Sequence, residues 1–266
     1  MATLTGVIPF TGSIGNISAF TRKDLDKPII RTKGGATREQ IKKKPSFQNT
    51  RRINSEWKGV TALTKAIRHN MHMQKHLADY NFTGDLNALG KKMELADTVS
   101  DYGQRSVLLS QCRYILEGFN LNKRILFDSV LRQPIECVID RINNSVQLNI
   151  PAIYPGINFI NPGKNPLYRF VLMLGFVSDQ VYDAKRDAYK PISVDTPGPV
   201  YTQTEWVSVQ KKTATAGMFL QATNPLVLDD AITIIVSAGI EFGIPVADGS
   251  IEYVKYSGIA KLLKLG

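Results

Sequence analysis

The fold is decided by the stretch LYRFVLMLGFVSD, residues 167–179. Its apolar run, Phe170–Val177, contains branched and aromatic side chains and is followed by polar residues, which is typical of a buried β-strand. A second run of this kind, Ile232–Ile240, lies within AITIIVSAGIEFG, residues 231–243. We therefore predict that these two segments form the central strands of a β-rich C-terminal region.

Five further short runs have a similar composition and are separated by Pro, Gly, Asn and Asp residues. They are PIECVIDR (134–141), NSVQLNI (144–150), TEWVSVQ (204–210), GMFLQA (217–222) and SIEYVKY (250–256). About seven strands with such turn signals predict an antiparallel β-sandwich, Ig-like or jelly-roll-like, over residues 126–266. The tail, residues 259–266, is predicted to cap the sandwich as a strand, with a docking peptide for another copy as the alternative.

The middle of the chain has a different character. No proline occurs from Ser46 to Gln133, whereas ten of the thirteen prolines lie in residues 134–266. Because proline disrupts helix interiors, this contrast marks a domain boundary and predicts a helical region over residues 46–125. Together with the β-region, it makes the predicted fold class α+β.

One long helix is predicted from about residue 47 to about residue 79. Five apolar residues at helical spacing indicate it: Ile53, Trp57, Val60, Ile67 and Met71. Gly59 costs this helix roughly 1 kcal/mol relative to alanine. A second helix is predicted after residues 81–84 and a third through SVLLSQCRYILEGF, residues 106–119.

The N-terminal part, residues 1–45, reads as an extended arm. The first 58 residues are rich in Gly, Thr, Ser, Lys and Arg, so they bury too little apolar area to offset their ordering entropy. We predict a short hairpin or extended segment over residues 6–33, with a turn at Gly15-Asn16. Thr37 is the predicted N-cap of a short helix that ends before Pro45, and Ser46 that of the next helix.

The positive charge is concentrated in the same part of the chain. The formal net charge is +10. Residues 1–80 hold 15 basic and 5 acidic residues, whereas residues 81–266 hold 18 of each. A basic arm with an anionic partner is expected, and a solubilising tail is the alternative. The candidate contacts with an anionic partner or another subunit are Arg31, Lys33, Arg38, Lys42, Lys43, Lys44, Arg51 and Arg52.

Aromatic residues are few within this basic strip. Phe47 and Trp57 are the candidates, and Trp57 is expected in the core of the long helix. Base stacking on a single strand therefore has little support, and any nucleic-acid binding would be independent of sequence.

The three histidines, His69, His72 and His76, lie within eight residues and would share one helix face. This spacing is acceptable for a metal site, but ordinary histidines on a partly exposed helix are the favoured interpretation. No HExxH, GxSxG, GxGxxG or P-loop motif is present, so no enzyme activity and no cofactor is predicted. Asp179, Asp183 and Asp187 are expected in a solvated loop or short helix with local ion pairs.

Localisation and redox state follow from absences in the sequence. No run approaches the ~18 apolar residues that a membrane span needs, and the start lacks the pattern of a secretory signal. Cys112 and Cys137 fit buried thiols in a reducing compartment. A cytoplasmic protein, or one that belongs to a particle, is expected.

Several blocks carry a family resemblance. They are GSIGNISAF (12–20), IIRTKGG (29–35), PSFQNTRRINSEW (45–57), LEGFNLN (116–122) and FDSV (127–130). These blocks resemble a group of uncharacterised Bacteroidota proteins over most of the first 130 residues, and the similarity is weaker in the predicted sandwich. The resemblance implies an origin in bacteria or in a virus of bacteria, and it brings no function or site residue with it.

Three functions remain open at this level. The first is a non-enzymatic structural protein that self-associates or joins a larger complex through its basic arm and its sheet edges. The second is a nucleic-acid-associated protein that uses the same arm. The third is a sandwich that binds a carbohydrate or peptide through tyrosines expected in loops: Tyr154, Tyr182, Tyr189 and Tyr201.

Overall fold

The computed structural model describes residues 2–3, 11–21, 29–32 and 34–266, with residues 2–3 described as backbone only. The chain divides into two compact units, residues 1–51 and residues 52–266. The fold is mixed, with one long helix and antiparallel sheets.

The N-terminal unit contains a four-stranded antiparallel sheet in the order β1-β4-β3-β2. Its strands are β1 (Ala2–Thr3), β2 (Gly12–Ile14), β3 (Ile17–Phe20) and β4 (Ile29–Thr32). Strands β2 and β3 form the predicted hairpin around Gly15 and Asn16, and Gly15 takes the positive φ of 56° that such a tight turn needs. The rest of the predicted arm, at residues 4–10, 22–28 and 33, lies outside the described residues.

Helix α1 (Arg38–Lys43) begins as the sequence predicts. The backbone N–H of Gln40 donates to Thr37 Oγ1 at 3.2 Å, and the N–H of Thr37 donates to Gln40 Oε1 at 3.0 Å. These two bonds form a capping box. The predicted Ser46 N-cap is wrong, because Pro45–Phe47 is a 3₁₀ turn that leads directly into helix α2 (Gln48–Asn70).

The second unit contains the rest of the helical layer. It comprises α2, a 3₁₀ segment (His72–Leu77), α3 (Thr83–Leu95), a 3₁₀ turn (Arg113–Ile115) and α4 (Phe127–Val130). Helix α3 confirms the second predicted helix. The long helix is shorter than predicted: it ends at Asn70 rather than near residue 79, because the Asn70 side chain bonds to a strand there.

The third predicted helix is wrong. Residues 106–119 contain one 3₁₀ turn and short-range turn bonds rather than a continuous helix, and both ends of the segment bond to strands. Val107 exchanges two backbone hydrogen bonds with Gln180, and the N–H of Gly118 donates to the carbonyl of Leu262 at 3.0 Å. The apolar residues of this segment have helical spacing because they are buried against the sheet, and not because the segment is a helix.

Three sheets lie in the second unit, and all pairs of named strands are antiparallel. Their strands are β5 (Glu136–Asp140), β6 (Ser145–Ile150), β7 (Leu167–Ser178), β8 (Gln180–Asp183), β9 (Ala188–Pro191), β10 (Val200–Gln203), β11 (Val207–Ser208), β12 (Ala216–Gln221), β13 (Ile232–Pro245), β14 (Ile251–Tyr253) and β15 (Ile259–Leu265). The six-stranded sheet has the order β10-β7-β13-β14, with β11 beside β7 and β15 beside β13. The others are β12-β6-β5 and the hairpin β8-β9.

The long strands β7 and β13 are buried on both faces, which explains their unbroken apolar runs. Alternate residues of β7, such as Phe170 and Leu172, join a core shared with the three-stranded sheet. The residues between them, such as Met173 and Val177, join a second core with α2, α3 and the segment before β5. The six-stranded sheet is therefore the middle layer of this unit.

All seven predicted runs contain strand, although TEWVSVQ contributes only β11. The tail forms β15 against β13, as the first of its two interpretations predicts. Three strands were missed, namely β8, β9 and β10.

Ile53 and Trp57 were predicted to lie in the core face of the long helix, but they are 48% and 42% exposed. Helix α2 instead directs Val60, Leu63 and Ile67 toward the core.

Candidate functional site

Most of the predicted basic contacts belong to the N-terminal unit. Arg38 and Lys42 lie one turn apart on α1, and Lys44 follows the helix; all three are exposed and form no ion pair within the part of the chain that the structure describes. Lys43 pairs with Glu39 at 2.7 Å. Lys33, a predicted contact with an anionic partner or another subunit, lies outside the described residues.

Arg31, Arg51 and Arg52 have local partners. Arg31 lies on β4, with its guanidinium 5.2 Å from the centre of the Phe20 ring. Arg51 Nη1 donates to the carbonyls of Ile41 at 2.7 Å and Lys44 at 2.9 Å, so this side chain holds the C-terminal end of α1. In the second unit, Arg52 lies 5.7 Å from the centre of the Tyr102 ring.

The structure does not bring the three histidines together. His69 and His72 stack with ring centres 6.1 Å apart, and the ring of Tyr201 meets His72 edge-on at 6.0 Å. His76 instead bonds through Nε2 to Glu241 Oε1 at 2.6 Å. Across the described ranges, no three His, Cys, Asp or Glu side chains are grouped so as to hold a metal ion.

The partner of His76 belongs to a polar cluster on the helix side of the six-stranded sheet. Glu241 on β13 is buried and also accepts a bond from Arg169 Nε on β7 at 2.6 Å. Arg169 stacks on Trp206 at 4.4 Å, and the Tyr253 ring meets His76 at 5.1 Å. Burial alone would raise the pKa of Glu241, but the bonds from His76 and Arg169 outweigh it and lower that pKa.

A second buried cluster joins α2, α3 and the loop after α3. Glu56 and Glu94 are both fully buried, and Lys91 forms ion pairs with both carboxylates. Arg105 Nη1 lies 3.5 Å from Glu94 Oε1, and the N–H of Gly103 donates to Glu56 Oε1 at 2.7 Å. Burial raises the pKa of Glu94 despite its bond with Lys91, and the nearby Glu56 raises it further.

The three aspartates of the region 179–187 are separated. The predicted solvated loop or short helix is wrong for Asp179, which is buried between β7 and β8, and for Asp183, which ends β8, whereas Asp187 lies in the exposed turn between β8 and β9, as predicted. Asp179 is buried and accepts bonds from the backbone N–H and the hydroxyl of Ser110 at 2.9 and 2.5 Å. Asp183 pairs with Lys190 at 3.0 Å, which confirms a local ion pair. Asp187 accepts a bond from the Tyr182 hydroxyl at 2.6 Å.

The four tyrosines proposed for ligand binding are also dispersed. Tyr182 and Tyr189 face each other across the β8-β9 hairpin, with ring centres 5.5 Å apart, so they are strand residues rather than loop residues. The Tyr189 hydroxyl donates to the carbonyl of Arg105 at 2.8 Å. Tyr154 and Tyr201 are exposed elsewhere in the unit.

Both cysteines are free thiols. Cys112 is buried, as the sequence predicts, whereas Cys137 is only half-buried. Burial raises the pKa of both thiols, that of Cys137 to about 11. A raised pKa lowers the thiolate fraction at neutral pH and so makes both thiols less reactive than an exposed cysteine.

Sequence reasoning missed both polar clusters. A signal for one of them exists, because Glu56 lies four residues before Val60 and Glu94 four residues after Gly90, so each acid occupies the buried stripe of its helix. An acid on such a stripe indicates a buried partner. No comparable signal joins His76 to Glu241, since the two are 165 residues apart.

A scan against protein-family models and searches of curated proteins and of solved structures found no match to the chain. Among the described residues, no helix has the length and apolar character needed to cross a membrane.

Proposed function

We propose that this chain is a non-enzymatic structural protein that self-associates through its N-terminal unit, as part of a larger assembly. The observation that carries the proposal is the edge strand β2. All three of its residues are exposed, Ile14 by 64%, and among the described strands β2 pairs with β3 alone. An edge of this kind is a template for strand addition by another chain.

The interior of the N-terminal unit supports a role for a partner. Among its described residues, only Ala19 and Ile29 are buried apolar side chains. Burying one large apolar side chain contributes about 1.5–3 kcal/mol, whereas ordering the backbone costs about 1–2 kcal/mol for each residue. A strand added at β2 would supply the missing hydrogen bonds and buried area.

The charge distribution favours contact between the N-terminal unit of one copy and the second unit of another. Residues 1–51 hold 10 basic and 3 acidic residues, a net charge of +7, whereas residues 52–266 hold 23 and 20, a net charge of +3. Two N-terminal units would therefore repel each other more strongly than the N-terminal unit of one copy and the second unit of another. Such head-to-tail contacts generate rings or filaments.

The geometry of the hairpin gives a sharp test at Ser13. Ile14 and Ile17 flank the two-residue turn as a hydrogen-bonded pair, so the next pair, Ser13 and Ser18, directs its backbone groups away from the partner strand. Ser13→Pro therefore removes a donor from the free edge and leaves the β2-β3 bonds in place. Ser13→Ala, which keeps that donor, is the matched control.

Light-scattering mass on a sizing column, at low and at high salt, is the measurement. We expect the native chain and Ser13→Ala to elute well above the 29.5 kDa of one chain at both salts. We expect Ser13→Pro to shift toward the monomer. A native chain that is monomeric at both salts would contradict the proposal.

Nucleic-acid association is the second candidate, favoured by Arg38, Lys42 and Lys44, which are exposed and form no ion pair with any residue that the structure describes. Each phosphate contact adds about 0.9 to the slope of log affinity against log salt on duplex DNA. Replacing the three residues together by Gln should therefore lower that slope by up to about 2.7. An unchanged slope would show that these three residues do not contact the phosphates.

The finer classification of the second unit is also a proposal. We infer an Ig-like or jelly-roll-like sandwich because one buried cluster draws side chains from both the six-stranded and the three-stranded sheet. Sandwich subunits with extended arms suit particles and lattices, in keeping with the resemblance to Bacteroidota proteins and the bacterial or phage origin that it implies.

A further inference from the structure

Two adjoining clefts lie where the 3₁₀ segment after α2 approaches the turn between β14 and β15. The first has a volume of ≈ 530 Å³, and its lining includes Arg68, Lys75, Asp79 and Tyr256. The second, of ≈ 410 Å³, shares Asp79 and Tyr256 and adds Arg124. Asp79 and Tyr256 line both clefts, which are together called the groove.

The groove carries unneutralised positive charge. Arg68, Lys75 and Arg124 form no ion pair within the described part of the chain, and Arg68 Nε is buried without a hydrogen-bond partner. Asp79 is the one carboxylate in the lining. It accepts bonds from the backbone N–H groups of Lys123 at 3.0 Å and Arg124 at 2.8 Å, and the three cations outnumber its single negative charge.

Neighbouring charges do not alter this balance. Lys123 pairs with Asp85 at 2.8 Å, and the Tyr80 hydroxyl donates to the same carboxylate at 2.8 Å. Asp85 is thus committed to its own partners beside the groove. An anion that enters the groove meets three cations without having to displace a protein carboxylate from any of them.

Tyr256 adds a planar surface to this site. Its backbone has a φ of 60°, in the left-handed region that costs a bulky side chain conformational free energy, and the residue is 80% exposed. A strained and exposed aromatic residue contributes little to a core. Strain of this kind is characteristic of ligand sites, where the surrounding structure maintains it.

We infer that this groove binds a nucleotide, with the base stacked on the Tyr256 ring and the phosphates bound by Arg68 and Lys75. Exposed aromatic rings stack on bases of any sequence, and guanidinium and ammonium groups recognise phosphate. The ligand is either a free mononucleotide or one unit of a single-stranded nucleic acid. The inference is independent of the assembly proposed for the N-terminal unit.

The test is a calorimetric titration of the full chain with three probes: ADP, pyrophosphate and a deoxythymidine decamer. ADP should bind more tightly than pyrophosphate, because only ADP offers a base to Tyr256. The decamer is titrated into the chain with Arg38, Lys42 and Lys44 replaced by Gln, so that the N-terminal arm does not contribute. Much tighter binding of the decamer than of ADP by that variant would identify single-stranded nucleic acid as the source. Comparable binding of the two would identify a free nucleotide.

Tyr256→Gly removes the ring and also the backbone strain, so loss of folding does not confound this variant. We expect it to weaken ADP binding by about fivefold to a hundredfold, the range measured for single stacking contacts, and to leave pyrophosphate binding unchanged. Arg68→Gln should weaken the binding of both ADP and pyrophosphate. Lys212→Gln, at an exposed lysine outside the groove, is the matched control and should change neither.

The combined substitution of Arg38, Lys42 and Lys44 by Gln should leave ADP binding unchanged, which separates this groove from the N-terminal arm. No binding of ADP or of the decamer by the native chain would overturn the inference. Equal affinity for ADP and pyrophosphate, with no effect of Tyr256→Gly, would overturn the assignment of a base to Tyr256.

Discussion

Asn70 and Phe176 exchange two hydrogen bonds although 106 residues separate them. Asn70 Nδ2 donates to the carbonyl of Phe176 at 3.1 Å, and the N–H of Phe176 donates to Asn70 Oδ1 at 2.9 Å. Strand β10 pairs with β7 only as far as Leu174, so the amide takes the next position along that strand. A side chain at the end of α2 thus completes the sheet and fixes where the helix stops.

Asn70→Ala should lower the free energy of unfolding by about 3 kcal/mol. The substitution leaves a buried N–H and a buried carbonyl without partners, and each such group costs about 1–3 kcal/mol. Urea unfolding measures the change. Asn54→Ala, on the exposed face of the same helix, is the control and should change stability by less than about 0.5 kcal/mol. Equal effects at the two positions would show that the paired bonds contribute nothing.

Gly59→Ala should destabilise the protein by about 1–3 kcal/mol, although alanine favours helices. A Cβ atom at this position would lie 2.5 Å from two carbon atoms of the Tyr189 ring, which is held by its bond to Arg105. Gly84→Ala in α3 is the matched control, because a Cβ there meets nothing within 4 Å. We expect that control to be neutral or stabilising by up to about 1 kcal/mol.

A thermodynamic cycle with Tyr189→Ala separates overlap from other effects at Gly59. In the Tyr189→Ala background, Gly59→Ala should lose most of its destabilising effect. The effect that remains should be the stabilisation from the higher helix propensity of alanine. An unchanged cost in the Tyr189→Ala background would place the strain elsewhere.

Glu94 should make the stability depend on pH. Its pKa is raised in the folded state, so the folded chain holds this proton more tightly than the unfolded chain does, and the free energy of unfolding falls as the pH rises through that pKa. In Glu94→Gln the side chain at this position does not titrate, so it contributes no such pH dependence. Native stability minus Glu94→Gln stability should therefore decrease from pH 4.5 upward, as followed by urea unfolding at each pH.

The charged groups around Glu94 do not reverse the direction in which the free energy of unfolding changes with pH. Glu56 faces this carboxyl group from α2, Lys91 from α3 and Arg105 from the following loop. Burial and the nearby Glu56 raise the pKa of Glu94, and together they outweigh the bond with Lys91, which lowers it. A difference between native and Glu94→Gln chains that is constant from pH 4.5 to 8 would contradict the assignment.

Arg169→Met should cost about 3–5 kcal/mol, because it leaves the buried Glu241 carboxylate with only His76 as a partner. The double variant Arg169→Met/Glu241→Leu removes both charges and should recover much of that loss, as apolar replacement of a buried pair commonly does. Guanidinium unfolding of the two variants gives the comparison. A double variant less stable than the single one would show that Glu241 stabilises the fold through its other contacts.

Local structure was predictable from the sequence where it depends on interactions between residues a few positions apart. Thr37 and Gln40 form their capping box, Gly15 and Asn16 form their turn, and the apolar runs form strands. Each of these depends on hydrogen bonds and side-chain periodicity inside one segment. The same reasoning failed between residues 106 and 119, where helical spacing is present but the backbone forms turns whose two ends bond to β8 and β15.

The sequence by itself determined that the C-terminal half is rich in strands, that a long helix precedes it, and that the positive charge lies at the N-terminal end, because composition and periodicity depend only on residue order. Tertiary structure decided where α2 ends, which acids meet which bases, and that Arg68, Lys75 and Tyr256 share a groove. Those outcomes depend on contacts such as Asn70 with Phe176 and His76 with Glu241. Residue order alone does not encode such distances, because they are fixed only when the helical layer packs on the sheet.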